Sequence, residues 1–137
     1  EDMVKYLKKH KCMISTSLDG PKDLHDTNRP LQNKDLDHHA IFEKNLTMIR
    51  DIWGDKECVS ALMTTSKHSL GRFKEIIDEY VRLGFNNIFL RSLNPYGFAK
   101  QYKEKIAYPV EEFIENYKEG LNYIIELNKQ GQWGATD

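Results

Sequence analysis

Ile14-Ser15-Thr16-Ser17-Leu18-Asp19-Gly20-Pro21 is the stretch on which the fold turns. In extended backbone its side chains alternate, so Ile14, Thr16 and Leu18 share one face while Ser15, Ser17 and Asp19 share the other. Gly20-Pro21 ends the run. Joined to Cys12 and Met13, it reads as a strand from Cys12 to Leu18. Two more runs read as strands, Cys58 to Thr64, with the same mix of apolar and hydroxyl residues, and Asn87 to Arg91, apolar at its centre.

Each run leads into a segment of helical period. After the first, Phe42, Leu46, Ile49 and Trp53 recur at spacings of four, three and four, with Asp37 as the cap before them and Gly54 behind. After the second, Leu70, Phe73, Ile77, Tyr80 and Val81 form a stripe that stops at Leu83-Gly84, a left-handed glycine end. The third helix opens at Pro109 with Glu111 and Glu112 in its first turn, carries Phe113, Tyr117, Leu121 and Ile124, and ends near Gly131. Met3, Val4 and Leu7 mark a further helix at the start, whose pattern begins without a cap. Strands alternating with helices predict βαβ units, a parallel sheet and right-handed crossovers. The expected fold is α/β: three parallel strands with flanking helices, a slice of a larger repeating architecture with two bare sheet edges through which it would self-associate.

Charge and composition narrow the function. Twenty Lys and Arg stand against 21 Asp and Glu, a net charge of −1, and the charges alternate along helix faces. This excludes a nucleic-acid backbone or an anionic membrane as the main partner. No apolar run approaches the ~20 residues that cross a bilayer, and Glu1 to Cys12 carries charge throughout, unlike a secretory leader. The two cysteines, Cys12 and Cys58, lie 46 positions apart, a spacing of neither a disulfide framework nor a metal site. The expected location is cytoplasmic.

Ligands of parallel α/β folds bind at the carboxyl ends of the strands. Here those ends are Ser17 to Pro21, Thr64 to His68 and Arg91 to Gly97, all polar. With Ile14 and Leu18 toward the helices, Ser15, Ser17 and Asp19 point inward, where a merely packed barrel would carry Val, Ile or Leu. A cavity for a polar ligand is one reading. In the other, Ser17 bonds a neighbouring strand and Asp19-Gly20 simply turns the chain. His25, Asp26 and Arg29 form a charged group in the loop after the first strand; Arg29 is placed either to fork onto a ligand carboxylate or to pair with Asp23 or Asp26. His38 and His39 diverge by about 100° on a helix and read as solvated residues at a helix start. The aromatic groups of Tyr96-Gly97-Phe98 suit either a ligand cover or the packing of their own turn.

The strand Ile14 to Pro21 followed by His25-Asp26 and Arg29 resembles the S-x-S-hydrophobic-D-G-P strand and H-D-x-x-R loop of radical S-adenosylmethionine (SAM) enzymes of the SPASM, anaerobic sulfatase-maturase type. Glu79 to Phe85 and Ile88 to Ala99 are similar to that family's last helix-to-strand passage, in particular in a maturase of His-Xaa-Ser repeat peptides. The resemblance covers roughly Met3 to Gln130. It implies a partial (β/α)6, TIM-like barrel, of which residues 1–137 would be the C-terminal half, truncated at both ends. It also implies S-adenosylmethionine and [4Fe–4S] clusters in the full-length protein, and a peptide or protein substrate modified through a 5′-deoxyadenosyl radical. The CxxxCxxC loop of the family is absent from this sequence, so the fragment alone is expected to hold no cofactor and to be inactive. Residue by residue, Ser17 would help hold the amino-acid end of the cofactor, Arg29 would neutralise its carboxylate, the segment around Leu90 would line the adenine, and Asp19 would shape the strand end. No catalytic residue is assigned. The competing readings are a radical enzyme with a small-molecule substrate and a non-catalytic α/β partner module.

Overall fold

A computed structural model describes residues 1–31, 33 and 35–133. The elements run α1 (Asp2–Lys9), β1 (Ile14–Ser17), α2 (Lys22–Asn28), α3 (His38–Trp53), β2 (Val59–Leu62), α4 (Phe73–Arg82), α5 (Phe98–Gln101), α6 (Lys103–Ile106) and α7 (Val110–Lys129). β1 and β2 are parallel, paired from Ile14 with Val59 to Ser17 with Leu62. The ladder runs one step further where the Leu18 N–H donates to the Leu62 carbonyl at 3.0 Å.

The long helices begin and end where their residues dictate. The Asp37 carboxylate accepts the Ala40 N–H at 2.9 Å to start α3, and Gly54 ends it at φ 76°. α4 buries Phe73, Ile76, Ile77 and Tyr80 along one stripe. Each such side chain taken fully out of water contributes about 1.5–3 kcal/mol before ordering costs. α7 packs on α4, and Gly120 is the point of closest approach: a Cβ there would lie 3.1 Å from Phe73 Cδ2 and 3.2 Å from Leu90 Cδ1.

Three expectations are corrected. The third run forms no continuous strand: Asn87 makes an isolated bridge and the Arg91 carbonyl accepts the Thr65 N–H at 3.0 Å, but residues 88–91 complete no ladder. Asn86, Asn87 and Asn94-Pro95 fit a pleated strand poorly and shorten the run at both ends. The sheet of the described residues thus has two strands instead of three. The presumed loop after β1 is helix α2, opened by Pro21 at φ −60° with Asp23 in its first turn; with Leu24 its only aliphatic residue, it has no periodicity to read. α5 and α6 were likewise not expected.

Gly20 does more than turn the chain. Its φ is +130°, and a Cβ would sit 2.8 Å from Ile76 Cγ1, so the strand end presses directly onto α4. Among the described residues no helix is long and apolar enough to cross a membrane.

Candidate functional site at the strand ends

At the end of β1, Asp19 is 2 % exposed, and both its carboxylate oxygens and its N–H are engaged. Arg29 donates from Nε to Oδ2 at 2.7 Å and from Nη2 to Oδ1 at 3.2 Å. Oδ1 also accepts the Thr64 N–H at 3.1 Å, which ties the end of β1 to the end of β2. The Asp19 N–H donates to His25 Nδ1 at 3.2 Å. That contact makes Nδ1 the acceptor and leaves the imidazole proton on Nε2, a buried atom without a partner among the described residues. Burial pushes the His25 pKa down to about 4; the Asp19 carboxylate opposes the shift, and His38, Arg29 and His39 add to it. Beneath, the Tyr80 O–H donates to the Leu18 carbonyl at 2.8 Å, and burial pushes that phenol well above its ordinary pKa.

This knot forms one wall of a cavity of about 410 Å³ that also reaches Asn28, Thr64, Ser66 and Lys105. The Ser66 hydroxyl donates to Asn28 Oδ1 at 2.8 Å. Asn28 Nδ2 is buried without a partner among the described residues, a donor in search of an acceptor. Arg29 also borders a second cavity, of about 450 Å³, that runs along β1 past Ser17 toward His38 and Phe42 of α3. Its side chain is 33 % exposed. With Nε and one Nη2 proton spent on Asp19, the Nη1 edge is left to meet a ligand.

The sequence-assigned residues divide accordingly. Asp19 and Arg29 meet in one ion pair, so Arg29 takes neither Asp23, which binds Arg72, nor Asp26, which binds Lys22. Ser17 is half-buried in β1 beside them, whereas Ser15 is exposed. Leu90 lies elsewhere: it is 3 % exposed and packed against Gly120 of α7. Alternation puts Ile88 and Leu90 on the helix side and leaves Phe89 and Arg91 exposed on the other. Asn28 and Ser66 were not singled out from the sequence, and the polar run Thr64 to His68 was the only signal pointing near them.

The histidines of α3 are also corrected. His39 is buried, not solvated, with Nε2 2.8 Å from Glu79 Oε1 and Nδ1 3.5 Å from Glu43 Oε1. A histidine between two carboxylates suits a metal ion by residue type, but Arg82 binds both Glu79 and Glu43. Burial raises the Glu79 pKa, yet the hydrogen bond and charge of Arg82, with His39, hold it below the usual range. One guanidinium thus already pairs with both carboxylates and offsets one of their two charges. His38 is half-buried, its Nδ1 3.0 Å from the Arg29 carbonyl.

Of the two cysteines, Cys12 is exposed, and Cys58 is buried with its thiol pKa pushed up by that burial.

No family model and no curated protein sequence matches the chain. Solved structures do. One is native anSMEcpe, an anaerobic sulfatase-maturating radical SAM enzyme, with bound AdoMet (S-adenosylmethionine) and Kp18Cys peptide; it matches with a TM-score of 0.77 and 17 % identity over 96 % of this chain and 35 % of that one. Native anSMEcpe with AdoMet alone matches with a TM-score of 0.72 and 18 % identity over the same shares. At this identity the likeness is one of fold, and the chain spans about a third of the enzyme's length: the described residues have the α/β fold of a segment of a sulfatase-maturating radical SAM enzyme.

Proposed function

We propose that this chain is the second half of a radical SAM barrel in a cytoplasmic enzyme that modifies a peptide or protein. The observation that carries the reading is the fold likeness, over 96 % of the chain, to an enzyme with AdoMet and a peptide bound. The local chemistry supports it. AdoMet presents a carboxylate, ribose hydroxyls and an aromatic base. The strand ends offer an orphaned buried amide at Asn28, a partly free guanidinium at Arg29, the Ser17 hydroxyl on the same strand, and the exposed Phe89 ring.

The chain's residues have distinct tasks in this reading. Arg29 neutralises the cofactor carboxylate. Asp19 acts through Arg29, fixing its fork by the two-point contact and so removing rotamer freedom before the ligand arrives. Ser17 and Asn28 supply neutral hydrogen bonds, and the Phe89 side of the third run lies against the base. The iron–sulfur cysteines come from residues outside this chain, so no step is assigned to a cluster here. When bound and reduced, AdoMet supplies a 5′-deoxyadenosyl radical that removes hydrogen from the substrate.

The test is anaerobic incubation of the full-length protein containing this chain with AdoMet and dithionite, followed by chromatography for 5′-deoxyadenosine. Production of 5′-deoxyadenosine is the expected result. Absence both of this product and of AdoMet binding by calorimetry would overturn the reading.

A further inference from the structure

The segment from Arg91 to Lys105 carries four cations, Arg91, Lys100, Lys103 and Lys105, against one carboxylate, Glu104, in a chain whose net charge is −1. All four cations are exposed, and none makes an ion pair among the described residues. The arginines bordering the β1 knot and α4 are different: Arg29, Arg72 and Arg82 each lie on a carboxylate.

Two of the four cations, Lys100 and Lys103, line a cleft of about 590 Å³ between this segment and the start of α7. Its floor is apolar and aromatic. Tyr108 and Phe113 stack with ring centroids 6.0 Å apart, and the Tyr108 hydroxyl accepts the Leu93 N–H at 2.7 Å, which fixes the floor to the chain opposite. Pro95 and Tyr96 form a wall, Tyr96 being 79 % exposed, and Lys100 and Lys103 stand at the rim; no carboxylate lines the cleft. Leu93 is shared with the 410 Å³ cavity, into which Lys105 also opens. The Lys67 N–H donates to the Ile106 carbonyl at 2.9 Å and clamps the far end of the segment to the strand-end loop. A chain lying in the cleft would therefore run up to the 410 Å³ cavity that Arg29 and Asn28 border.

We infer that this cleft receives the substrate as an acidic peptide segment, with an apolar or aromatic side chain on the Tyr108-Phe113 floor and Asp or Glu side chains against Lys100 and Lys103. The inference rests on the peptide-modifying reading and deepens it by naming the charge of the substrate. An aromatic floor with two unpaired lysines at its rim fits a mixed apolar and anionic ligand. A nucleic acid would call for a basic face extending well beyond one cleft, which a chain of net charge −1 does not supply.

The experiment is fluorescence anisotropy on the full-length protein without AdoMet, using short fluorescein-labelled peptides that alternate Glu with Tyr or Lys with Tyr, and a single-stranded RNA of equal charge to the acidic peptide. The Glu–Tyr peptide is expected to bind at least tenfold tighter than the Lys–Tyr peptide. It should weaken strongly as ionic strength rises from about 0.1 M to about 1 M, where the screening length falls from ~10 Å to ~3 Å. The double change Lys100→Glu with Lys103→Glu, at two exposed positions and so not expected to unfold the chain, should cost the acidic peptide roughly tenfold. Equal binding of the two peptides, an unaffected double variant, or RNA bound as tightly as the acidic peptide would overturn the inference. AdoMet binding and 5′-deoxyadenosine, measured separately, keep the two readings apart. Acidic-peptide binding that needs the two lysines but comes without cofactor chemistry would sink the radical reading and leave the cleft standing. Cofactor chemistry without charge selectivity would do the reverse.

Discussion

The end of β1 and the segment after the third run are both polar, yet they are polar in opposite ways. At the first, Asp19 engages Arg29, Thr64 and His25 at once, and little of it meets water. At the second, the exposed Lys100 and Lys103 stand at the rim of an aromatic floor, and no carboxylate of the described residues lines that cleft. A carboxylate with both oxygens engaged fixes the geometry of the groups around it. An unpaired cation keeps its capacity for a ligand. The two lie side by side: Leu93 lines both cavities, and Lys105 of the second region opens into the cavity bordered by the first.

Breaking the satisfied side should have the largest effect. Asp19→Ala removes the acceptor of Arg29 and of the Thr64 N–H together. Losing one partner of a buried pair costs about 3–5 kcal/mol, here toward the lower end because Arg29 is partly hydrated. Urea denaturation of the variant should show that loss, with Asp19→Asn in between. A cost below about 1 kcal/mol, the range of a surface pair, would place this ion pair on the available side of the comparison.

A second test uses pH. The His25 pKa is lowered from 6.5 in the unfolded chain to about 4 in the folded one, so between those values the unfolded state binds the proton and the folded state does not. Stability from this group is therefore full above pH 6.5, declines as pH falls, and is exhausted near pH 4. The loss is on the order of 3 kcal/mol. His25→Asn keeps an acceptor for the Asp19 N–H but cannot titrate. Its urea midpoint should fall less than the parent's between pH 7 and pH 4.5, and identical slopes would remove His25 from the knot.

Much of this was readable in the residues. Asp37 and Gly54 bracket α3, Gly84 follows α4 at φ 69°, and Pro109 opens α7; local steric and hydrogen-bonding rules suffice for each. Alternation separated Leu18 from Asp19 in the sense of helix against strand end, although both are buried. What stayed hidden was set by contacts distant in sequence. α2 carries too little apolar pattern to show a period. Leu90 was assigned to the cofactor by its position in a motif, while its side chain is claimed by Gly120, thirty positions on. His39 reads as solvent-facing until Glu79, on a different helix, is found beside it. The orphaned amide of Asn28 exists only because Ser66 takes its other end.

The smallest expected effect on stability falls on the residue that straddles the two regions. Ser17 lies on β1 two positions before Asp19, yet its hydroxyl makes no hydrogen bond among the described residues and faces the 450 Å³ cavity that Arg29 also borders. By position it belongs to the knot; by its unspent hydroxyl it belongs with the available groups. Ser17→Ala distinguishes these assignments because the two roles read out in different experiments. With no protein partner to lose, the variant should unfold within about 0.5 kcal/mol of the parent, as a change outside any network does. In the full-length protein, the loss of a hydrogen bond to a charged ligand group, about 1.5–3 kcal/mol, should lower AdoMet affinity roughly tenfold to a hundredfold. Calorimetry for the cofactor and a thermal melt on the same preparation measure both. A variant that melts several degrees lower and binds AdoMet as before would assign Ser17 to the packing of the strand end, and the polar wall of the cofactor cavity would then rest on Arg29 and Asn28.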